Sequence, residues 1–236
     1  YAVQDKDIYI NLYASSKTAL ETGGGSLEII QETNYPWEGL IKIMIRPETK
    51  KRFAVRFRIP GWSGDQVVPS DLYTFLDEAS GLVEITVNGK AQELVLENGF
   101  AVINRKWSQN DVVILEFPMD IKRIRAHENV DADLGQVAVQ RGPIVYCLEW
   151  ADQEEKKVLH MALTKDPVFS YAYKPDLLNG VGIIRTTAYS LRKNLDGTVD
   201  QSECEIRAIP YYAWANRGKG EMTVWIPESI ESASPL

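Results

Sequence analysis

Histidine and cysteine are scarce in this chain, with two of each among 236 residues. His127 and His160 lie far apart, and no carboxylate stands at a spacing that would complete a metal site with either. Each reads as an exposed loop histidine. Cys147 and Cys204 are equally distant from any metal-ligand pattern, and Cys147, inside an apolar run, reads as a small core residue. Whether the two pair depends on an oxidising compartment and on Cα atoms within about 7 Å, which sequence does not show. No Gly-x-Ser-x-Gly elbow, P-loop or dinucleotide fingerprint occurs. The chain has no apolar run of about 18 residues, so no membrane-spanning helix is written in it. Basic residues are not pooled, and the net charge of -7 excludes a nucleic-acid partner. An initiator Met and a signal-peptide pattern are also lacking, and Tyr1–Asp7 runs straight into a strand. The start reads as a cut piece or processed product, which leaves a lost targeting sequence and the compartment open.

Convincing amphipathic helices are missing as well. What fills the chain is period-two alternation. Ile41, Ile43 and Ile45 alternate with Lys42, Met44 and Arg46, and Phe53, Val55, Phe57 and Ile59 alternate with Arg52, Ala54, Arg56 and Arg58. Both runs read as half-buried strands, joined through Pro47–Lys51 as a hairpin. Asn88-Gly89 and Asn98-Gly99 mark tight turns, because both central positions of a type I′ turn need positive φ. Further strands are expected at Val112–Phe117, Leu134–Val139, Ile144–Leu148, Val181–Ile184, Glu203–Ile209 and Met222–Ile226, with a polar break at Ala151–Lys157. Pro69–Ala79 has room for one helical turn, with Leu72, Phe75 and Leu76 on one side. Short strands parted by frequent turns predict an all-β fold of two consecutive antiparallel β-sandwiches with little helix. Their expected bounds are 1–118 and 119–227, with 228–236 as a C-terminal tail.

Chemistry is harder to find. Glycoside hydrolysis needs two carboxyl groups about 5–9 Å apart. With 33 acidic residues, pairs are easily invented. Only Glu149 beside Trp150 and Glu38 beside Trp37 have an apolar neighbour, and each reads first as an ordinary strand-end residue. Aromatics give a better lead. Ala208–Gly218 carries Tyr211, Tyr212, Trp214 and Arg217, while Tyr35, Trp37 and Trp62 sit in turns rich in proline and glycine. Rings that large must be hidden against something. Three fates stay open for them: plugging the end of a sandwich core, docking on another domain, or stacking on a sugar.

Several segments occur in one order: Leu12-Tyr13-Ala14-Ser15-Ser16, Tyr35-Pro36-Trp37-Glu38-Gly39, Arg58-Ile59-Pro60-Gly61-Trp62, Val87-Asn88-Gly89, Arg141-Gly142-Pro143-Ile144-Val145-Tyr146 and Ile209–Gly218. With them the chain resembles the carboxy-terminal part of the β-L-arabinofuranosidases of glycoside hydrolase family 127 and the related family 146, once a domain of unknown function. The resemblance implies a helical (α/α) barrel followed by two β-sandwiches. It places the chemistry in the barrel, with a zinc ion held by a glutamate and cysteines, one of which is the nucleophile, and a glutamate as acid/base. In the family a Cys-Cys-Pro-Pro segment lies shortly before the region matching Tyr1, and Cys147 and Cys204 do not match those ligands. No catalytic or metal residue is therefore carried onto this chain, and no cofactor is expected in it. The expected partner is the catalytic barrel of the same polypeptide, with a glycan as the alternative, contacted through Tyr35, Trp37, Trp62, Tyr211, Tyr212, Trp214 and Arg217.

Overall fold

The computed structural model describes residues 1–235, which form two compact units. The first comprises Tyr1–Gln66 and Ala79–Met119. It holds strands β1 (Ala2–Gln4), β2 (Asp7–Ile10), β3 (Ser16–Thr22), β4 (Gly25–Thr33), β5 (Leu40–Pro47) and β6 (Lys51–Arg58). After β7 (Tyr73–Phe75), which belongs to the second unit, come β8 (Glu84–Val87), β9 (Lys90–Ala91), β10 (Leu96–Glu97), β11 (Phe100–Trp107) and β12 (Asp111–Glu116). One sheet runs β1-β2-β6-β11-β10 and the other β3-β4-β5-β12-β8-β9. Neighbours are antiparallel except β2 and β6, which lie parallel with Ile8 opposite Val55.

Alternation explains the core between these sheets. Ile41, Ile43 and Ile45 of β5 and Phe53, Val55 and Phe57 of β6 are buried together with Ile8, Ile10, Ile29 and Leu115. Each such side chain contributes roughly 1.5–3 kcal/mol on burial. Trp107 is enclosed completely, and its indole Nε1–H donates to the Phe53 carbonyl at 3.1 Å. The hairpin expected through Pro47–Lys51 does not form. β5 pairs with β4 and β12, whereas β6 pairs with β2 and β11, in the other sheet. Both runs carry equal apolar faces, and a sandwich satisfies them by setting those faces against each other rather than side by side. The two Asn-Gly turns do form: Asn88 and Gly89 have φ of 51° and 75°, Asn98 and Gly99 of 51° and 79°.

The second unit comprises Val67–Glu78 and the chain from Asp120 onward. Its further strands are β13 (Ile121–Ala126), β14 (Gln136–Arg141), β15 (Ile144–Glu149), β16 (Met161–Leu163), β17 (Ser170–Lys174), β18 (Val181–Lys193), β19 (Val199–Pro210), β20 (Met222–Thr223) and β21 (Ile226–Pro227). They make one ten-stranded sheet with the path β16-β18-β19-β15-β14-β13-β7; β17 joins β18, β20 joins β15 and β21 joins β14. The sheet folds back so that β16 lies against β21. The helical turn expected within Pro69–Ala79 is instead strand β7, because Tyr73–Phe75 is captured by the ladder with β13. Asp77 fixes that capture, accepting from the Arg123 backbone N–H at 2.6 Å and from Arg123 Nη2 at 2.7 Å. Glu228 pairs with Arg125.

Among the described residues no helix is long and apolar enough to cross a membrane. Cys147 is buried in β15 as expected, and both cysteines are free thiols. Burial pushes the Cys147 thiol up to about 12, which keeps it protonated and inert near neutral pH.

Candidate aromatic ledge

Pro210 ends the β19 ladder, since proline has no N–H to extend it. The chain then makes a 3₁₀ turn over Tyr211–Ala213, burying Ala213 and turning its aromatic neighbours outward. Tyr211 and Trp214 stack nearly parallel, with centroids 6.1 Å apart and planes 10° apart. They remain 46% and 38% exposed, and Tyr212 is 63% exposed. Tyr173 of β17, 46% exposed, lies close to Tyr212, whose hydroxyl is pushed upward first by partial burial and then by that neighbour. Tyr171 lies on the same face of β17, and the Arg141 guanidinium stands 3.6 Å from its ring centre. A side chain at Gly182 would meet the Tyr171 ring at 2.4 Å, so the tyrosine lies directly on that glycine.

What fixes this ledge is a buried ion cluster beneath it. Glu149, the last residue of β15, is 0% exposed. Arg217 Nε donates to Glu149 Oε2 at 3.0 Å, and its Nη2 reaches the same oxygen. Arg217 Nη1 donates to Asp152 Oδ1 at 2.7 Å and Nη2 to Asp152 Oδ2 at 2.5 Å. Asp152 above all, with Glu149, holds the guanidinium protonated more firmly than usual against the cost of burial. A carboxylate buried alone would cost several kcal/mol, so Glu149 requires this partner. The loop backbone is tied in as well: Ala215 N–H donates to Glu149 Oε1 at 3.3 Å, and Asn216 Nδ2 to the Ala213 carbonyl at 2.9 Å. Gln153 extends the mooring, with Nε2 donating to the carbonyls of Glu149 and Arg207 at 3.1 and 2.8 Å.

The seven residues singled out from the sequence therefore part company. Tyr211, Tyr212 and Trp214 come together as an exposed surface. Arg217 lies with them but is not free for a sugar, because its fork is consumed by two acids. Glu149 is a strand-end residue, and its carboxylate is an ion-pair partner. Tyr35 and Trp62 pack against the core of the first unit, where they stack at 6.5 Å beside Tyr13 and Phe117. Burial pushes the Tyr35 hydroxyl up to about 12. Trp37 is half-buried in a turn closed by its N–H donating to the Asn34 carbonyl at 2.9 Å. Tyr173 was not anticipated. The alternation Ser170-Tyr171-Ala172-Tyr173-Lys174 was the signal that could have placed it on a strand.

His160 corrects another expectation, being only 1% exposed rather than on an open loop. It immediately precedes buried β16, and Glu155 reaches in from the polar stretch to meet it. His160 Nε2 lies 2.9 Å from Glu155 Oε2 and 3.0 Å from Ser190 Oγ. Burial disfavours the Glu155 charge, but hydrogen bonds from His160 and Ser190 and the charge of Arg192 outweigh it and hold the carboxyl below its ordinary range. Serine, histidine and acid are thus adjacent without forming a relay. A relay needs the acid and the serine on opposite ring nitrogens, whereas here one nitrogen serves both and Nδ1 has no partner. No group of three or more His, Cys, Asp and Glu converges on a common point among the described residues.

Two family models cover nearly the whole chain. Residues 7–119 match "Beta-L-arabinofuranosidase, GH127 middle domain", and residues 121–227 match "Glycoside hydrolase family 127 C-terminal domain". The non-reducing end β-L-arabinofuranosidase of Bifidobacterium longum subsp. longum is 33% identical over an alignment of 215 residues, with coverage of 84% of this chain and 30% of that protein. Among solved structures, a GH127 β-arabinofuranosidase superposes with a TM-score of 0.93 at 39% identity, over 99% of this chain and 36% of its own. A GH127 β-L-arabinofuranosidase from Geobacillus stearothermophilus T6 gives a TM-score of 0.83 at 38% identity, over 96% and 34%. The chain thus spans about a third of the length of the relatives it matches.

Proposed function

The chain belongs to glycoside hydrolase family 127, of which it carries the middle and C-terminal domains, and from that premise we propose that it is the non-catalytic supporting portion of a β-L-arabinofuranosidase. One observation carries the reading: almost the entire chain superposes on barely a third of an arabinofuranosidase, so most of that relative lies beyond the matched part. On this reading the barrel that breaks the glycosidic bond, with the zinc ion the resemblance gives it, is the partner of these two domains. The ledge of Tyr211, Tyr212 and Trp214 is the contact.

Its build suits that role. Aromatic side chains are favoured at the centres of interfaces, where rigid rings bury large areas at low entropy cost. The Glu149–Asp152–Arg217 cluster holds the ledge in place before any partner arrives. Direct sugar contact is the weaker reading, because Tyr35 and Trp62 are packed within their own unit and Arg217 is paired.

The expected result is that this chain alone releases no product from an aryl β-L-arabinofuranoside, while a longer family relative assayed beside it does. Turnover by the isolated chain at a comparable rate would place the catalytic groups within these residues and overturn the reading.

A further inference from the structure

The second unit also carries a pocket of about 410 Å³ with Lys174, Arg185 and Arg207 in its wall, together with Asp176 and the Asp152 of the cluster beneath the ledge. Arg185 of β18 and Arg207 of β19 are direct cross-strand partners. Like charges in that position are destabilising, since Cβ atoms of such a pair are only about 5 Å apart. The neighbouring acids do not fully relieve them. Glu205 offers one oxygen to both, 3.1 Å from Arg207 Nε and 3.8 Å from Arg185 Nη1. Asp152 has both oxygens engaged by Arg217. Arg185 Nε is buried and has no hydrogen-bond partner, which is destabilising for a buried donor. Three cations, Lys174, Arg185 and Arg207, thus line the wall against two acids, of which Asp152 is already engaged by Arg217.

We propose that the pocket binds a small oxyanion, a carboxylate or phosphate group, between Arg185 and Arg207 with Lys174 at its edge. Guanidinium forks match the two oxygens of a carboxylate or phosphate, and each such bond is charge-assisted. An anion there would accept from the exposed guanidinium N–H groups of Arg185 and Arg207 and neutralise the opposed pair. The proposal does not depend on the barrel partner. It predicts a second ligand class, acidic saccharides or phosphorylated molecules, for a module whose ledge serves another purpose.

The test titrates this chain with glucuronate, inorganic phosphate and neutral arabinose, following the arginine side-chain N–H signals by NMR and the unfolding temperature. Saturable shifts of the Arg185 Nε–H, with a rise in unfolding temperature, are expected for an oxyanion and not for arabinose. Tighter binding of glucuronate assigns the site to acidic saccharides; tighter binding of phosphate assigns it to phosphate esters. Arg207→Gln should weaken binding roughly tenfold or more while leaving the chain folded, since the half-exposed side chain it removes is one of a repelling pair. Lys174→Gln, outside that pair, should weaken it in the same direction. The proposal is overturned if neither oxyanion saturates below about 100 mM, if arabinose binds as well as glucuronate, or if both variants bind unchanged.

Discussion

Replacing Arg217 with alanine is expected to destabilise the C-terminal unit by about 3–5 kcal/mol, the usual consequence of leaving one member of a buried ion pair alone. The size follows from Glu149, which is 0% exposed and takes its charge-assisted bonds from this guanidinium. Alanine leaves a carboxylate enclosed without a cation, and water does not replace the partner at that depth. Asp152 loses its two bonds in the same step. The loss should be read from the urea midpoint of the C-terminal unit, alongside the midpoint of the first unit, which contains none of these residues and should stay unchanged. A companion variant, Arg217→Met with Glu149→Met, removes both charges and should recover much of the loss, giving a coupling energy above about 1 kcal/mol. A midpoint shift worth less than 1 kcal/mol for Arg217→Ala would show that the cluster does not hold the loop.

The second large effect is expected at Gly39, in the turn that follows Trp37. A Cβ built there stands 2.0 Å from the Phe117 carbonyl oxygen and 3.0 Å from its carbon, both backbone atoms. Gly39 also accepts the Phe117 N–H at 3.0 Å, so the two segments are already held together by a hydrogen bond. Relief would require β12 and the turn to separate at a buried corner lined by Phe117. Gly39→Ala should therefore cost about 3 kcal/mol, at the upper end of overpacking penalties. Gly24→Ala is the matched control. Its Cβ would meet nothing nearer than 3.5 Å, and a change within about 0.5 kcal/mol is expected. Equal midpoints for the two variants would contradict the close approach at Gly39.

The contrast between these sites shows what the amino-acid order discloses. Alternation in Ile41–Ile45 and Phe53–Phe57 declares strands and their buried faces, and Asn88-Gly89 and Asn98-Gly99 declare turns, because each signal is local. Partnership between strands is not local. Nothing in Pro47–Lys51 distinguishes a hairpin from a crossing between sheets, because the choice depends on what β4, β12 and β11 offer elsewhere. Strand β7 was hidden for the same reason, its pairing with β13 being set by Asp77 and Arg123 across a long separation.

The ledge was half legible. Tyr211, Tyr212 and Trp214 stand out as a dense aromatic run, but Arg217 in the same run looks equally available until Glu149 is placed beneath it. His160 misled likewise, since its burial depends on Glu155 and Ser190, and Ser190 is remote in the chain. Isolated polar residues carry little sign of their environment until the sheet assembles around them.

The proposed role requires the ledge to be a docking surface for the proposed barrel. Its most direct measurement is isothermal titration of this chain against the proposed barrel portion, produced separately, with and without Tyr212→Ala and Trp214→Ala. The account predicts saturable association, weakened about thirtyfold or more by the paired substitutions, as loss of about 2 kcal/mol or more at an aromatic anchor implies. Association that is absent, or that is indifferent to both rings, would contradict it.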